Sequence, residues 1–383
     1  MNMHVTWSAE EVEYREAIAR AAPRILGTLS QADGSQFLPM QAWRELAETG
    51  LFALPFAPED GGLGVRLSAV MHVFETLGMG LPDAGFTFSA CTHLCALGLP
   101  LARFGSAEAR EALLPGVIGG GLIGAHAISE ADAGSAAFEM RTTGRRVDGG
   151  WELDGEKHFV SNGPVAGMIA VYARTTPEAD ALSGFSAFLV PADSPGLTRG
   201  IPTPKIGLKT SPFGTLFLDR VFVPDHMVLG APGRGFAVLD YVMKREILIT
   251  FAAHLGQMQR RFDGLRNHVR TRKQGGQRIS AHQSVSNRVV DDFIKLETAR
   301  MWLYRAGAEI DAGRGAAREV AIAKLLVAEA NLDVALDAVR LHGAAGYLDE
   351  ADMGTEVADA LGGVIYSGSS EIQRNRIAAT LGL

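Results

Sequence analysis

The stretch "FEMRTTGRRVDGGWELDGEKHFVSN", residues 138–162, decides how this chain folds. Apolar and polar residues alternate in it with period two, and the pairs Asp148-Gly149 and Asp154-Gly155 interrupt the alternation. Alternation buries one face of a strand and exposes the other, and Asp-Gly supplies the tight turns that join antiparallel strands. The texture continues in "GFSAFLVPADSPGLTRG" (184–200) and "GTLFLDRVFVPDHMVLG" (214–230), each strand closed by proline or glycine.

On both sides of this block the period changes. "MQAWRELAETGLFAL" (40–54) and "LSAVMHVFETLGMGL" (67–81) repeat apolar residues at three and four, as do "KLETARMWLYRAGAEIDAG" (295–313) and "REVAIAKLLVAEANLDVALDAVRLHG" (318–343). That spacing predicts helices. Strands grouped between two sets of helices give an α+β class: an N-terminal helical domain over 1–122, a small β-barrel or sheet domain over 123–230, and a C-terminal four-helix bundle over 231–383. Ser8 and Glu11 have the spacing of a capping box that starts the first helix.

A chain of 383 residues is long enough for two or three domains around substantial cores. The net charge of −7 is spread along it, with no basic stripe for nucleic acid or for a membrane surface. The first 22 residues have no apolar core of a signal peptide, and no run reads as a membrane span. Cys91 and Cys95 lie four apart on one predicted helix face and read as small buried residues rather than a redox pair. The histidines show no metal-ligand spacing, so the expectation is a cytoplasmic, reduced, metal-free protein. Neither a GxGxxG unit after a strand nor a GxxxxGK[ST] loop occurs, which excludes the usual dinucleotide and P-loop sites.

Four separated stretches carry the chemistry: "AHAISEADAGSAAF" (125–138), "GEKHFVSNG" (155–163), "RTRKQGGQRISAHQ" (270–283), and "LHGAAGY" (341–347) with "IYSGSSEIQ" (365–373). The first offers small residues and hydroxyls, which let a flat ring approach the backbone. The third is an arginine-rich helix end followed by a polar turn. Together, in this order on a helix–sheet–helix plan, they resemble the acyl-CoA dehydrogenase family over essentially the whole chain. "PEDGGLG" (58–64) and "FLDRVFVP" (217–224) fit the same pattern.

The resemblance implies one FAD per subunit of a homotetramer or dimer, and an electron-transfer flavoprotein as reoxidising partner. It places Ile128, Ser129, Gly134 and Ser135 against the flavin or the thioester, and Phe159, Val160 and Ser161 beside the isoalloxazine ring. Arg272 and Gln283 reach the cofactor of the neighbouring subunit, where a guanidinium pairs with pyrophosphate. Gly343 and Ala344 approach the adenosine end, and Ser369 and Glu371 hold the rest of the cofactor. Ser135, Tyr366, Ser367 and Gly368 line the thioester. Three departures stand out: Ala136 where the family has aspartate, Gly275 and Arg278 in the arginine-rich turn, and Ala358-Asp359-Ala360 in place of Arg-Asp-Ala.

The family's reaction takes a proton from the α carbon of an acyl thioester and a hydride from the β carbon to flavin N5. A carboxylate must remove that proton, and most members carry glutamate between the tyrosine and glycine of "IYSGSSEIQ". Here that residue is Ser367, too weak a base and with no adjacent histidine. In a branch that includes isovaleryl- and long-chain acyl-CoA dehydrogenases, the glutamate lies instead on the first long helix of the C-terminal domain. It stands ten residues before a small residue that is sixteen before the arginine of the third stretch. Gly256 and Glu246 meet that spacing from Arg272 without a gap.

Glu246 also falls within a helical stripe of Leu239, Val242, Met243, Ile249 and Ala253, where a desolvated carboxylate is a stronger base. The competing reading is a surface ion pair with Lys244 or Arg245. The expectation is an FAD-dependent dehydrogenase of an acyl thioester carried on coenzyme A or a carrier protein, with Glu246 as base and room beside Ser367 for an unusual acyl chain. A flavin monooxygenase or oxidase on the same fold, and a catalytically degenerate homologue, are the alternatives.

Overall fold

The computed structural model describes residues 6–31, 37–176 and 183–383. Six helices come first: α1 (Ala9–Ser30), α2 (Met40–Ala47), α3 (Leu67–Gly80), α4 (Ala84–Thr92), α5 (Leu99–Phe104) and α6 (Ala107–Ile118). The capping box at α1 is present, with Ser8 Oγ accepting from the Glu11 N–H and Glu11 accepting from the Ser8 N–H. The helical stretch at 40–54 is shorter than its periodicity predicts. Gly50, at φ 77°, turns the chain out of helix after α2 and into a short 3-10 turn over Leu51–Ala53.

A π-helical turn, His93–Gly98, joins α4 to α5 into one continuous helical stretch, Ala84–Phe104. This stretch is long and apolar enough to cross a bilayer, contrary to the reading of the sequence, but Ala84–Leu101 is buried throughout inside the protein. Cys91 and Cys95 lie there as free buried thiols.

The strands follow: β1 (Gly124–Ala127), β2 (Thr143–Val147), β3 (Gly150–Ser161), β4 (Met168–Arg174), β5 (Phe185–Pro191), β6 (Leu197–Arg199), β7 (Phe213–Pro224) and β8 (Val228–Leu229). They form one sheet in the order β6-β7-β3-β2-β4-β5-β8, with β1 added in parallel to β4. Asp148-Gly149 makes the expected two-residue turn between β2 and β3. Asp154-Gly155 does not turn the chain. It lies within β3 at a register shift against β7, and Gly155, at φ 141°, sits where a Cβ would come within 2.7 Å of the Thr142 backbone. The pair is a bulge, the other use of glycine in a strand.

The C-terminal part contains α7 (Gly235–Thr271), a small hairpin of β9 (Lys273–Gln274) and β10 (Gln277–Arg278), α8 (Gln283–Asp311), α9 (Ala317–His342), α10 (Met353–Ile365) and α11 (Ser370–Thr380). The hairpin replaces the polar turn expected after the arginine-rich helix end; Gly275 and Gly276 both have positive φ, as a two-residue hairpin turn requires. The helices α7, α8 and α9 pack on one another, and α10 and α11 pack on α9.

The helix α7 is the axis of the molecule. It touches α3, α4, α8, α9 and β5, so Glu246–Met258 is buried all round and not along one stripe only. Two glycines permit the closest contact. A Cβ at Gly256 would stand 1.9 Å from the Glu75 carbonyl oxygen on α3, and one at Gly78 would stand 2.0 Å from that of Ala253. The backbones of α3 and α7 meet there with no side chain between them.

Candidate active site

The site forms where α7, β1 and the α10–α11 loop converge. Glu246, on α7, is only 6% exposed. Its flanking cations point elsewhere: Lys244 pairs with Asp240 at 2.6 Å, and the Arg245 guanidinium lies 3.5 Å over the Tyr241 ring. Glu246 therefore belongs to no surface ion pair with either neighbour. Its Oε1 accepts a hydrogen bond from Ser367 Oγ at 2.7 Å. Its Oε2 is buried with no hydrogen-bond donor, while His126 Nε2 stands 3.3 Å away. A carboxylate held by one oxygen and bare at the other has the form of a proton acceptor.

The loop that carries Ser367 is built for position. Ser367 (φ 54°) and Gly368 (φ 78°) are both left-handed and reverse the chain between α10 and α11. Gln373, fully buried, donates from Nε2 to the carbonyl oxygens of Ser367 (3.1 Å) and Gly368 (2.9 Å). Ser369 caps α11 by accepting from the Ile372 N–H, and Glu371 follows, exposed, in the first turn.

Tyr366 packs on Phe88 and Phe251 and hydrogen-bonds His254 Nε2. His254 Nδ1 lies 3.0 Å from Gln257 Oε1, and Gln257 Nε2 donates to Thr87 Oγ1. This chain assigns the Nδ1–H tautomer to His254, with Tyr366 donating to Nε2. Burial holds the His254 imidazole down at about 4, so it is neutral near pH 7.

The first two sequence motifs meet each other. His158 N–H donates to the Ser129 carbonyl at 2.9 Å, and Lys157 Nζ donates to the Ile128 carbonyl at 3.1 Å and to Glu130 Oε1 at 2.7 Å. Lys157 is fully buried. Burial pushes the Glu130 carboxyl up, but the bonds from Lys157, Thr142 and the Arg141 N–H outweigh it and hold it at about 2. Val160 is buried and Ser161 half-buried, whereas Phe159 is 62% exposed at φ 58°. Gly134 and Ser135 are exposed, with nothing within 4 Å of a Cβ built on Gly134. A bare aromatic ring in a left-handed backbone fits a flat ring system that covers it.

The remaining predicted residues lie at the other end of α7. Arg272 follows the last turn, about 40 Å along the helix from Glu246. Gly343 and Ala344 come just after His342, whose ring stacks on His268 in that last region of α7 at 3.8 Å. Arg272, Gln283, Gly343 and Ala344 are all exposed. Of the departures, Ala136 is exposed, while Asp359 is buried and accepts from the Leu208 N–H at 2.5 Å.

His126, His254 and Gln373 were not singled out from the sequence. Only His126 left a trace there: strand alternation puts it on the face opposite Ala125 and Ala127.

Known proteins share this architecture. The N-terminal, middle and C-terminal domain models of acyl-CoA dehydrogenase match residues 8–121, 125–221 and 233–382. An L-prolyl-[peptidyl-carrier protein] dehydrogenase of Serratia sp. (strain ATCC 39006) is 35% identical over 100% of this chain and 99% of its own length. The solved structure "PigA with FAD and proline" superposes with TM-score 0.95 at 32% identity, covering all of both chains. The prolyl acyl carrier protein oxidase AnaB superposes with TM-score 0.95 at 31% identity, over 99% of this chain and all of its own. With all three domain models matched in order and relatives aligned from end to end, the chain belongs to the acyl-CoA dehydrogenase family of flavoprotein oxidoreductases.

Proposed function

We propose that the chain is an FAD-dependent dehydrogenase of an acyl thioester, with Glu246 as the base and an aminoacyl group, prolyl in particular, on a carrier protein as its substrate. The observation that carries the reading is the buried Glu246, fixed through Oε1 by Ser367 and bare at Oε2. Oε2 takes the α proton as the α C–H bond breaks. The thioester carbonyl is polarised by a backbone N–H beside Ser367, which strengthens as negative charge builds on the oxygen. Bound FAD supplies the two-electron acceptor for the β hydrogen. Ile128, Ser129, Gly134, Ser135, Phe159, Val160, Ser161, Ser369 and Glu371 would hold it, and Arg272, Gln283, Gly343 and Ala344 would serve the cofactor of a second copy.

The substrate rests on the printed activity of the carrier-protein relative and on the polar lining of His126, Ser367 and Glu246, which suits an acyl group bearing a nitrogen better than a plain alkyl chain. The domain division at 122 and 230 follows the change from helices to strands and back. A second copy is supported by the exposed Val290, Phe293, Ile294 and Met301 on α8, apolar surface that association would cover. An electron-transfer flavoprotein is the proposed acceptor. The oxidase named among the solved structures favours a second reading, in which oxygen takes the electrons.

Anaerobic mixing of FAD-loaded protein with prolyl-carrier protein tests the proposal. Loss of flavin absorbance within the first turnover is expected, faster than with straight-chain acyl-CoA. An unchanged flavin spectrum with every thioester would refute it, and oxygen consumption at the turnover rate when the same mixture is made in air would select the oxidase reading.

A further inference from the structure

His126 lines the substrate side of the site and also stands beside the reacting carboxylate. It sits on β1, where Ala125 and Ala127 enter the core of the sheet domain and His126 takes the other face. Its Nε2 is 3.3 Å from Glu246 Oε2, and its Nδ1 is buried with no hydrogen-bond partner. Two neutral tautomers are available to such a ring. A hydrogen on Nδ1 would be a buried donor with no acceptor, whereas a hydrogen on Nε2 faces a carboxylate oxygen and leaves only a bare lone pair at Nδ1. Orphaned acceptors are better tolerated than orphaned donors, so the Nε2–H form is favoured.

The other titratable groups that feel Glu246 are placed otherwise. Cys91, Cys95 and Tyr172 are buried and make no hydrogen bond to it, and the Tyr366 hydroxyl is bound to His254. Arg245 is turned onto Tyr241. Among the described residues His126 is the one cationic or imidazole side chain within ion-pair distance of Glu246.

We propose that His126 is a positioning residue for Glu246: its Nε2–H steadies Oε2 from the sheet side while Ser367 holds Oε1 from the loop side, so that the remaining lone pair of Oε2 points at the α carbon. The inference rests on Glu246 being the base. A carboxylate oxygen has two lone pairs, so one can face the imidazole while the other receives the proton. The Nε2···Oε2 approach is not yet a completed hydrogen bond, and such contacts tighten when substrate fills the site. Misplacing the base by about 1 Å costs roughly 10²-fold in rate.

The test uses FAD-loaded protein and an acyl pantetheine thioester with sulfur in place of the β carbon. Its α proton is acidic, it cannot be dehydrogenated, and its enolate gives a long-wavelength absorbance against the flavin, so deprotonation is read without turnover. Wild type is expected to ionise it. At saturating ligand, His126→Phe should ionise it about tenfold less or worse, and His126→Gln, which restores an N–H donor, should recover at least half the band. If His126→Phe does not load FAD, His126→Leu serves as the apolar replacement. Full ionisation by a loaded apolar variant, or no recovery by His126→Gln, would overturn the proposal. Full ionisation by Glu246→Gln would instead overturn the assignment of the base.

Discussion

Ser367 Oγ donates to Glu246 Oε1 at 2.7 Å, a bond between residues 121 apart in the chain. By the resemblance read from the sequence, Ser367 takes the place of most members' catalytic glutamate, and Glu246 is the base proposed in its stead. The serine is thus more than a smaller replacement that opens space for substrate. It anchors the carboxylate at the alternative position, and Gln373 in turn anchors the serine's backbone.

Ser367→Ala removes that anchor and leaves Oε1 buried without a donor. Hydrogen bonds to charged groups contribute about 1.5–3 kcal/mol, so the rate of flavin reduction should fall about 10- to 100-fold with little change in substrate affinity. Stopped-flow reduction over a range of substrate concentrations separates the two. A faster rate would mean that the bond restrains the base instead of placing it.

Lys157→Met leaves Glu130 buried without its cation. Breaking a buried pair from one side costs about 3–5 kcal/mol, and the lowered melting temperature should be accompanied by weaker FAD retention, because the pair ties the first two cofactor motifs together. Glu130 is held at about 2, below its ordinary value, so its contribution is present above pH 4.5 and is lost as pH falls toward 2. The gap in melting temperature between wild type and Lys157→Met should therefore narrow on acidification below pH 4.5.

His254 gives a second pH dependence. Burial holds it at about 4 in the fold, against about 6.5 when exposed, so between these values the unfolded chain binds the extra proton. The stability it lends is complete above pH 6.5 and is lost, to about 3 kcal/mol, as pH falls to 4. Asp359, raised by burial to about 6, acts in the opposite sense, so the comparison must be made between wild type and His254→Gln. Their difference in melting temperature should shrink from pH 7.5 to pH 4.5; a constant difference would contradict the buried neutral imidazole.

The order helices–sheet–helices was legible because the period of the hydrophobic pattern switches at the start of the strands and again at α7, and period reports local structure directly. Glu246 was singled out through its spacing from Gly256 and Arg272, and the structure buries it beside Ser367. The structure gives the glycine a physical reason, since any side chain at Gly256 would strike α3. His126 and His254 were not legible. Their roles depend on β1 facing α7 and on α7 facing the α10–α11 loop, contacts more than a hundred residues apart that no local pattern encodes. The Asp154-Gly155 bulge and the β9–β10 hairpin were misread for a related reason. The same short glycine signals serve a turn or a bulge, and pairing with β7 decides between them.

The most direct measurement is the single-turnover rate of flavin reduction by prolyl-carrier protein in Glu246→Gln, which keeps the shape of the side chain and removes its basicity. If Glu246 is the base, the variant loads FAD, binds the thioester and reduces the flavin about 10²- to 10⁴-fold more slowly than wild type. Reduction at the wild-type rate would contradict it.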